Sequence, residues 1–448
     1  MYDVVVVGAG VGGCVAARRL ADAGLSVLLL EAGGADAPAV VTGTDALAAA
    51  RHPGWVWPTP DYLRGRGLGG GSAVNGMVMM AGDQTDLHQW GGSALIAELN
   101  RVVDELRPVP KPHGQLASAF RLAARSVGHP SAPSSAVLDQ TGLLTAALAF
   151  VDGRRRTAAD VYLSGSSRLH ISGQSGSAGG ADVTVLAEAE VAELTGSGSN
   201  VDGVRLVNGE VYRARHVVLS AGALVSPQLL LARGLGNEHV GRGLKDHPAI
   251  GLPVGLGHAP ASDRVPITTV LRWSSVPGAN DLLTMPIESL GHGGSHLGML
   301  LTAAVTTDTE GSVSATSYNL PALASEADRA RLRSAVRGTM ALLTESAFTQ
   351  AVTAVFLDDQ GTPISQFPDA DAELDTWMES RLGGIYHAGC SCRFGRATGA
   401  GGVVLGARGV SVIDASSLPD LPRANPQLAI LAVASLLAGQ LASVLVST

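Results

Sequence analysis

Two glycine-rich runs carry the first chemistry in this chain. Gly8, Gly10 and Gly13 fall in the spacing G-x-G-x-x-G, between a β-branched run at 4–7 and an amphipathic stretch at 14–23. Gly8 suits a tight turn, Gly10 lets backbone approach a pyrophosphate, and Gly13 permits the following helix to pack on the strand. The free N–H groups and dipole at that helix start favour an anion. Glu31 closes a second apolar strand, 26–30, at the place where an acid accepts from ribose hydroxyls. The second run, 64–76, holds Gly65, Gly67, Gly69, Gly70, Gly71 and Gly76. It is too rich in glycine for a regular element. It nevertheless contains Leu68, Val74 and two arginines, unlike a flexible linker. It reads as backbone laid against a flat or charged ligand. Most histidines, among them His52, His88, His113, His258, His292 and His296, sit in polar or Gly-rich loops and receive no role.

The elements that must position these groups follow from composition and periodicity. The chain has 448 residues, 46% hydrophobic and 16% charged, so it can bury a large core. With aromatics at 4%, that core is built from Ala, Val and Leu. A net charge of −8, with no basic tract longer than 154–156, excludes a nucleic-acid footprint. Three cysteines give neither a disulfide framework nor a zinc cluster and fit a reducing compartment. With no basic leader before the first strand, the expected location is cytoplasmic. The opening is a complete βαβ unit, so the fold class is α/β. Helices are expected over 95–106, 116–126, 227–233 and 326–343, and strands over 183–194, 204–211 and 214–219. A sheet is expected within 250–320, a strand pair within 403–413, and a closing helix over 426–446. The uncharged stretch 428–446 approaches the length of a membrane span. Ser435, Gly439, Gln440 and Ser443 dilute it, and it reads as a buried core helix.

The run Arg64-Gly65-Arg66-Gly67-Leu68-Gly69-Gly70-Gly71-Ser72-Ala73-Val74-Asn75-Gly76 resembles the block that glucose–methanol–choline (GMC) flavin oxidoreductases pack on the ring and diphosphate of FAD. Gly71 stands where the family has Ser. Covalently flavinylated members carry His at the position of Val74, so the resemblance implies non-covalent FAD. The likeness continues through 153–163 (GRRRTAADVYL) and through 183–191, whose backbone at Val191 contacts adenine in the family. It extends to 219–230, with Ala221 and Gly222, and to 240–248 (VGRGLKDHP). In this last segment His247 reads as structural. Near the C-terminus, 386–395 (YHAGCSCRFG) resembles the family's catalytic-histidine loop, with Cys390 in place of Gly. Asp414-Ala415 begins a D-x-S-x-x-P segment, and Asn425-Pro426 precedes the last helix as in the family.

The resemblance implies oxidation of an alcohol, and the residue types suit it. Hydride loss from a carbinol carbon requires removal of the hydroxyl proton, and a histidine accepts it near neutral pH. His387 is the candidate base. Asn425 cannot be a base but can hold the substrate oxygen. Asn425 and Pro426 also suit the N-cap and first position of the closing helix. The implied cofactor contacts are Gly8, Gly10, Gly13, Glu31, Arg66, Gly69, Gly70, Ser72, Asn75, Gly76, Val191, Ala221, Gly222, Asp414, Ala415 and Pro426.

The expected architecture is a Rossmann-like FAD-binding domain from 1–85, 151–250 and 385–448. A substrate domain of antiparallel sheet plus helices comes from 86–150 and 251–384. Expected partners are a small alcohol and an acceptor: oxygen, a quinone or another redox carrier. No metal is expected. At 448 residues the chain is short for the family, which implies a trimmed substrate domain and a more open site. The competing readings are an FAD-containing lyase of hydroxynitrile-lyase type, an NAD-dependent Rossmann dehydrogenase, and a non-catalytic flavin protein.

Overall fold

The computed structural model describes residues 1–58, 62–164, 168–171, 183–257, 265–288 and 296–447. Valines 4 to 6 are fully buried, so the first strand, Tyr2–Val7, sits at the centre of a parallel sheet. The order is Arg168–Ile171, Val183–Ala187, Val27–Leu30, Tyr2–Val7, Val211–Leu219, Val410–Val412. Val7 pairs with both Leu30 and Leu219, so the strand ends align and open on one edge. In open α/β sheets the carboxyl edge is where ligands bind.

The expected strand 183–194 is two strands, Val183–Ala187 and Val191–Ser197. The break falls where the amides of Glu188 and Ala189 donate to the carbonyls of Gly33 and Glu31 instead of continuing the ladder. The expected strand 204–211 is also two, Asn200–Leu206 and the start of Val211–Leu219, joined through Asn208 and Gly209. Asn-Gly is a strong hairpin signal, and it outweighs the apolar run around it. The helix expected at 227–233 begins earlier and spans Gly222–Leu231, and the 403–413 strand pair reduces to Val410–Val412 with isolated bridges.

The closing helix Gln427–Val446 is a core helix. It packs on Val11–Asp22 and on Gln84–Leu106, with Leu428, Leu431, Ala432, Ala438 and Leu441 at 2% exposure or less. Residues 86–150 therefore do not travel as one block with the second sheet. Leu87, Leu95, Leu99, Val102 and Leu106 join the nucleotide-side core. Arg19 ties these helices together through Ser435 and Glu105.

The second sheet runs Val352–Val355, Pro248–Leu256, Leu297–Ala304, Leu282–Ile287, Thr269–Trp273, Gly142–Thr145, Ser131–Ala132, antiparallel except for the last pair. The strand Pro248–Leu256 starts before the expected boundary at 251. Helices Gln115–Ser126, Glu326–Thr344 and Asp371–Arg381 cover one face through Phe120, Leu332, Val336, Leu374 and Met378. The alternation of strand side chains turns Met285, Ile287, Met299 and Leu301 to the other face.

Candidate active site

A cavity of about 930 Å³ lies between the carboxyl edge of the parallel sheet and the uncovered face of the second sheet. Its size is at the upper end for cofactor sites. One wall is backbone. Gly8 turns at φ +98, and a Cβ there would lie 2.5 Å from the Ser220 carbonyl oxygen. Gly70, at φ +50, brings the second glycine run onto the first: a Cβ on it would lie 2.7 Å from Cα of Gly10. A Cβ on Gly13 would lie 1.9 Å from the Gly8 carbonyl oxygen, so Gly13 serves packing behind the cavity.

Glu31 does more than line the site. Its carboxylate, 6% exposed, accepts from the amides of Ala9, Gly33 and Gly67 at 2.8, 2.9 and 2.9 Å. It staples the two glycine runs together, and burial pushes its pKa up against these bonds. Of the residues that the resemblance assigns to the cofactor, Gly8, Gly10, Glu31, Gly70, Asn75, Gly76, Val191, Ala221, Gly222, Asp414, Ala415 and Pro426 line the cavity. Asp414 accepts from Gly222 N at 2.8 Å and Ser226 Oγ at 2.6 Å, so it ties the segment after Val211–Leu219 to the C-terminal segment.

Besides Gly13, three of these residues, Arg66, Gly69 and Ser72, do not line the cavity. Ser72 donates to the Gly69 carbonyl and accepts from Ala158 N, which places both residues behind the wall. Arg66 stacks over Trp57 at 5.1 Å and reaches Glu190 at 3.7 Å, and Arg64 lines the cavity in its place. Arg155 was not singled out for the site, yet its Nη1 donates to the backbone carbonyls of Ser72 and Asn75 and to Asn75 Oδ1. Burial lowers its pKa to about 10. The signal was its place in the 153–163 segment.

Of the described histidines, only His387 lines the cavity; His258 and His292 lie outside the described residues. Lys245 and Gly389 exchange backbone hydrogen bonds, which sets residues 245–247 beside the His387 loop. Asp246 Oδ1 accepts from the amides of His247 and His387 at 2.7 and 2.8 Å, and Oδ2 accepts from Tyr62 at 2.7 Å. His247 is therefore set directly behind the candidate base. Its Nδ1 lies 3.0 Å from His387 Nδ1, with the rings at 84°. Burial, and then the neighbouring His247, hold His387 well below the usual imidazole range. Burial likewise takes His247 down to about 3 and Asp246 up to about 6. His387 Nε2 has no protein partner among the described residues. Tyr386 and Cys390 flank it in the left-handed region, at φ +59 and +71.

The closing helix begins at Gln427, and Asn425 makes no capping bond. Its amide faces the cavity with Oδ1 unpartnered, and Gln427 leaves Nε2 unpartnered beside it. Buried polar atoms are rarely left so without a ligand to meet them. A glycine-built cradle, a helix N-terminus and orphaned amides along one wall fit a dinucleotide-sized group.

Residues 2–249 match the family model described as GMC oxidoreductase, and a second model of that description matches residues 305–434. The chain belongs to the GMC oxidoreductase family. Enzymes of this GMC family are FAD-dependent. The chain is 27% identical to an uncharacterized GMC-type oxidoreductase of Rhodococcus erythropolis, over 96% of each chain. It is 26% identical to the mitochondrial choline dehydrogenase of Homo sapiens, covering 95% of this chain and 87% of that one. A solved pyridoxine 4-oxidase from Mesorbium loti shares the GMC fold at a TM-score of 0.82 and 23% identity, covering 98% of this chain and 99% of that one.

Proposed function

We propose that this GMC oxidoreductase oxidises an alcohol CH–OH to the carbonyl, with His387 as base and Asn425 as holder of the substrate oxygen. The observation that carries the reading is that His387 Nε2 and the Asn425 amide, both without protein partners among the described residues, line one cavity with the glycine cradle. Choline dehydrogenase and pyridoxine 4-oxidase support the substrate type, since choline and pyridoxine both carry the hydroxyl group.

FAD, held non-covalently with Val74 where a covalent link would need His, supplies the acceptor for the carbinol hydride. The remaining work belongs to the chain. The substrate O–H donates to His387 Nε2 as the C–H bond breaks, so the proton goes to the imidazole and the oxygen becomes the carbonyl. That requires the tautomer in which His387 carries its hydrogen on Nδ1 and donates to His247 Nδ1. His247, buried and kept neutral, remains an acceptor when His387 becomes charged. Asp246 fixes the imidazole's backbone amide, and the Asn425 amide meets the oxygen. The free N–H groups at the start of Gln427–Val446 favour negative charge at that end of the cavity. Oxygen, a quinone or another acceptor completes turnover.

The test is anaerobic stopped-flow reduction of the purified yellow protein. His387→Ala is expected to retain flavin and lose about 10²–10⁴-fold in reduction rate. Reduction at the wild-type rate would remove the assigned base. Absence of bleaching with every alcohol, alongside C–C cleavage of a cyanohydrin, would favour the lyase.

A further inference from the structure

The wall of the cavity opposite the backbone cradle is made of side chains from the second sheet, and it differs in kind. Met285 pairs directly with Leu301, and Ile287 pairs with Met299. Alternation places all four on one face as a two-by-two tile, and all four line the cavity. Pro266, Ile267 and Val78 extend the tile. Gly251 on the next strand makes room for it: a Cβ there would lie 2.4 Å from Met299 Sδ. The polar side chains of the same strands go the other way. Thr284 and Thr302 bond each other at 3.1 Å, and Thr284 bonds Thr339 of the covering helix at 3.2 Å. Among the described residues, this wall presents no charged group and no hydrogen-bonding side chain to the cavity.

Such a wall selects by what it cannot do. A sugar or polyol would bury hydroxyls without partners, at a substantial cost for each. A quaternary ammonium would face thioether and aliphatic groups with no carboxylate to compensate it. The acids lining the cavity among the described residues are on the cradle side, where Glu31 and Asp414 are already bonded to backbone amides and Glu190 faces Arg66 at 3.7 Å. Methionine suits a hydrocarbon body of variable shape, because its thioether is polarizable and its chain flexible. Among the described residues, the catalytic end is lined by His387, the Asn425 amide, the unpartnered Gln427 Nε2 and the hydroxyls of Tyr62 and Tyr386, and His387 with Asn425 suffices for one hydroxyl.

We infer that the substrate is a neutral primary alcohol whose body beyond the carbinol carbon is hydrocarbon, alkyl or arylalkyl, seated on the Met285–Leu301 and Ile287–Met299 tile. This rests on the alcohol-oxidation reading and narrows it. The register of the two strands puts the tile and the catalytic pair in one cavity, so the hydroxyl meets His387 while the chain lies along the sheet.

The experiment uses the flavin-loaded protein. Anaerobic second-order rate constants for flavin reduction are measured with ethanol, butan-1-ol, hexan-1-ol, choline and glycerol. Spectral titrations with acetamide, butanamide and hexanamide, which cannot be oxidised, report binding alone. Each buried methylene is expected to raise both constants by about fourfold, so hexan-1-ol exceeds ethanol by on the order of 10²-fold. Choline and glycerol fall at least tenfold below hexan-1-ol, and Leu301→Asn flattens the chain-length slope. A slope in amide binding with no reduction by any alcohol overturns the oxidation reading and leaves the apolar seat standing. Reduction by alcohols with no slope, or with choline or glycerol preferred, overturns the substrate class and leaves the oxidation reading standing.

Discussion

The two walls of the cavity obey different physics. On the cradle side the ligand meets backbone, so the residue at each position is decided by whether a Cβ can exist there at all. On the sheet side it meets side chains on a regular scaffold, where any apolar residue of about the right volume preserves the fold. The cradle therefore tolerates almost no substitution, and the tile tolerates many while changing what it binds.

Gly10 and Gly13 give the sharpest way to separate packing from ligand contact on the cradle side. Gly13→Ala places a Cβ 1.9 Å from a carbonyl oxygen of the preceding turn. It is expected to abolish soluble, flavin-loaded protein. At Gly10 the nearest atom to an added Cβ is 4.0 Å away, so Gly10→Ala is expected to fold with an unchanged apoprotein melting temperature yet lose bound flavin. Absorbance near the flavin band against circular dichroism reads the difference. A Gly10→Ala protein that stays yellow would break the cradle half of the comparison.

This contrast also explains what was legible in the sequence. Glycines forced by backbone contact carry their signal in spacing alone, and 8–13 and 65–76 could be read before any fold was known. The βαβ opening and the closing helix were legible for the same reason: local period decides them. The His247–His387 contact was not, because it joins residues 140 apart through a bridge between Lys245 and Gly389. The tile was not, because Met285 and Leu282 are both apolar residues in one strand, and only the assembled sheet shows which faces the cavity. Arg66 and Ser72 stand behind the lining residues, because a motif names neighbours of the ligand without saying which side chains face it.

Asp246 tests whether the catalytic end behaves like the rigid wall or the adaptable one. Its carboxylate holds the amides of both histidines and accepts from the Tyr62 hydroxyl. Asp246→Ala frees the His387 loop and is expected to lower flavin reduction by about 10²-fold, because a small misplacement of a catalytic group costs that much. Substrate-analogue binding on the tile should shift far less. Equal losses in both would show that Asp246 supports the whole cavity.

The pH profile gives a smaller effect with a definite sign. Both histidines have folded pKa values below the unfolded one, His247 at about 3 and His387 well under 6.5. The base is thus free of its proton at and below neutral pH. The reduction rate at saturating alcohol should stay flat as pH falls through 6.5 and decline only at lower pH. The same groups stabilise the fold above 6.5, and that contribution is lost as pH falls from 6.5 toward the folded values. An acid limb at 6.5 or above would mean that His387 is not held neutral.

Cys390 gives the smallest effect and the finest test, since it puts a side chain where backbone rules should exclude one. The family resemblance leads one to expect Gly at this position, and here φ is +71 with the thiol fully buried in the nucleotide-side core. A non-glycine residue in the left-handed region costs about 1–2 kcal/mol, while a buried small hydrophobe gains a comparable amount. Removing the side chain also raises the entropy of the unfolded chain by about 0.4–1 kcal/mol. Cys390→Gly should therefore leave stability within about 1 kcal/mol of the parent. Cys390→Val adds β-branching to the same strained backbone without new room and should fall clearly below both. Denaturant midpoints for the three proteins give the order. If Val matches Cys, the loop has another backbone conformation within reach, and the division between a backbone-ruled wall and a side-chain-ruled one does not extend to the loop that carries His387.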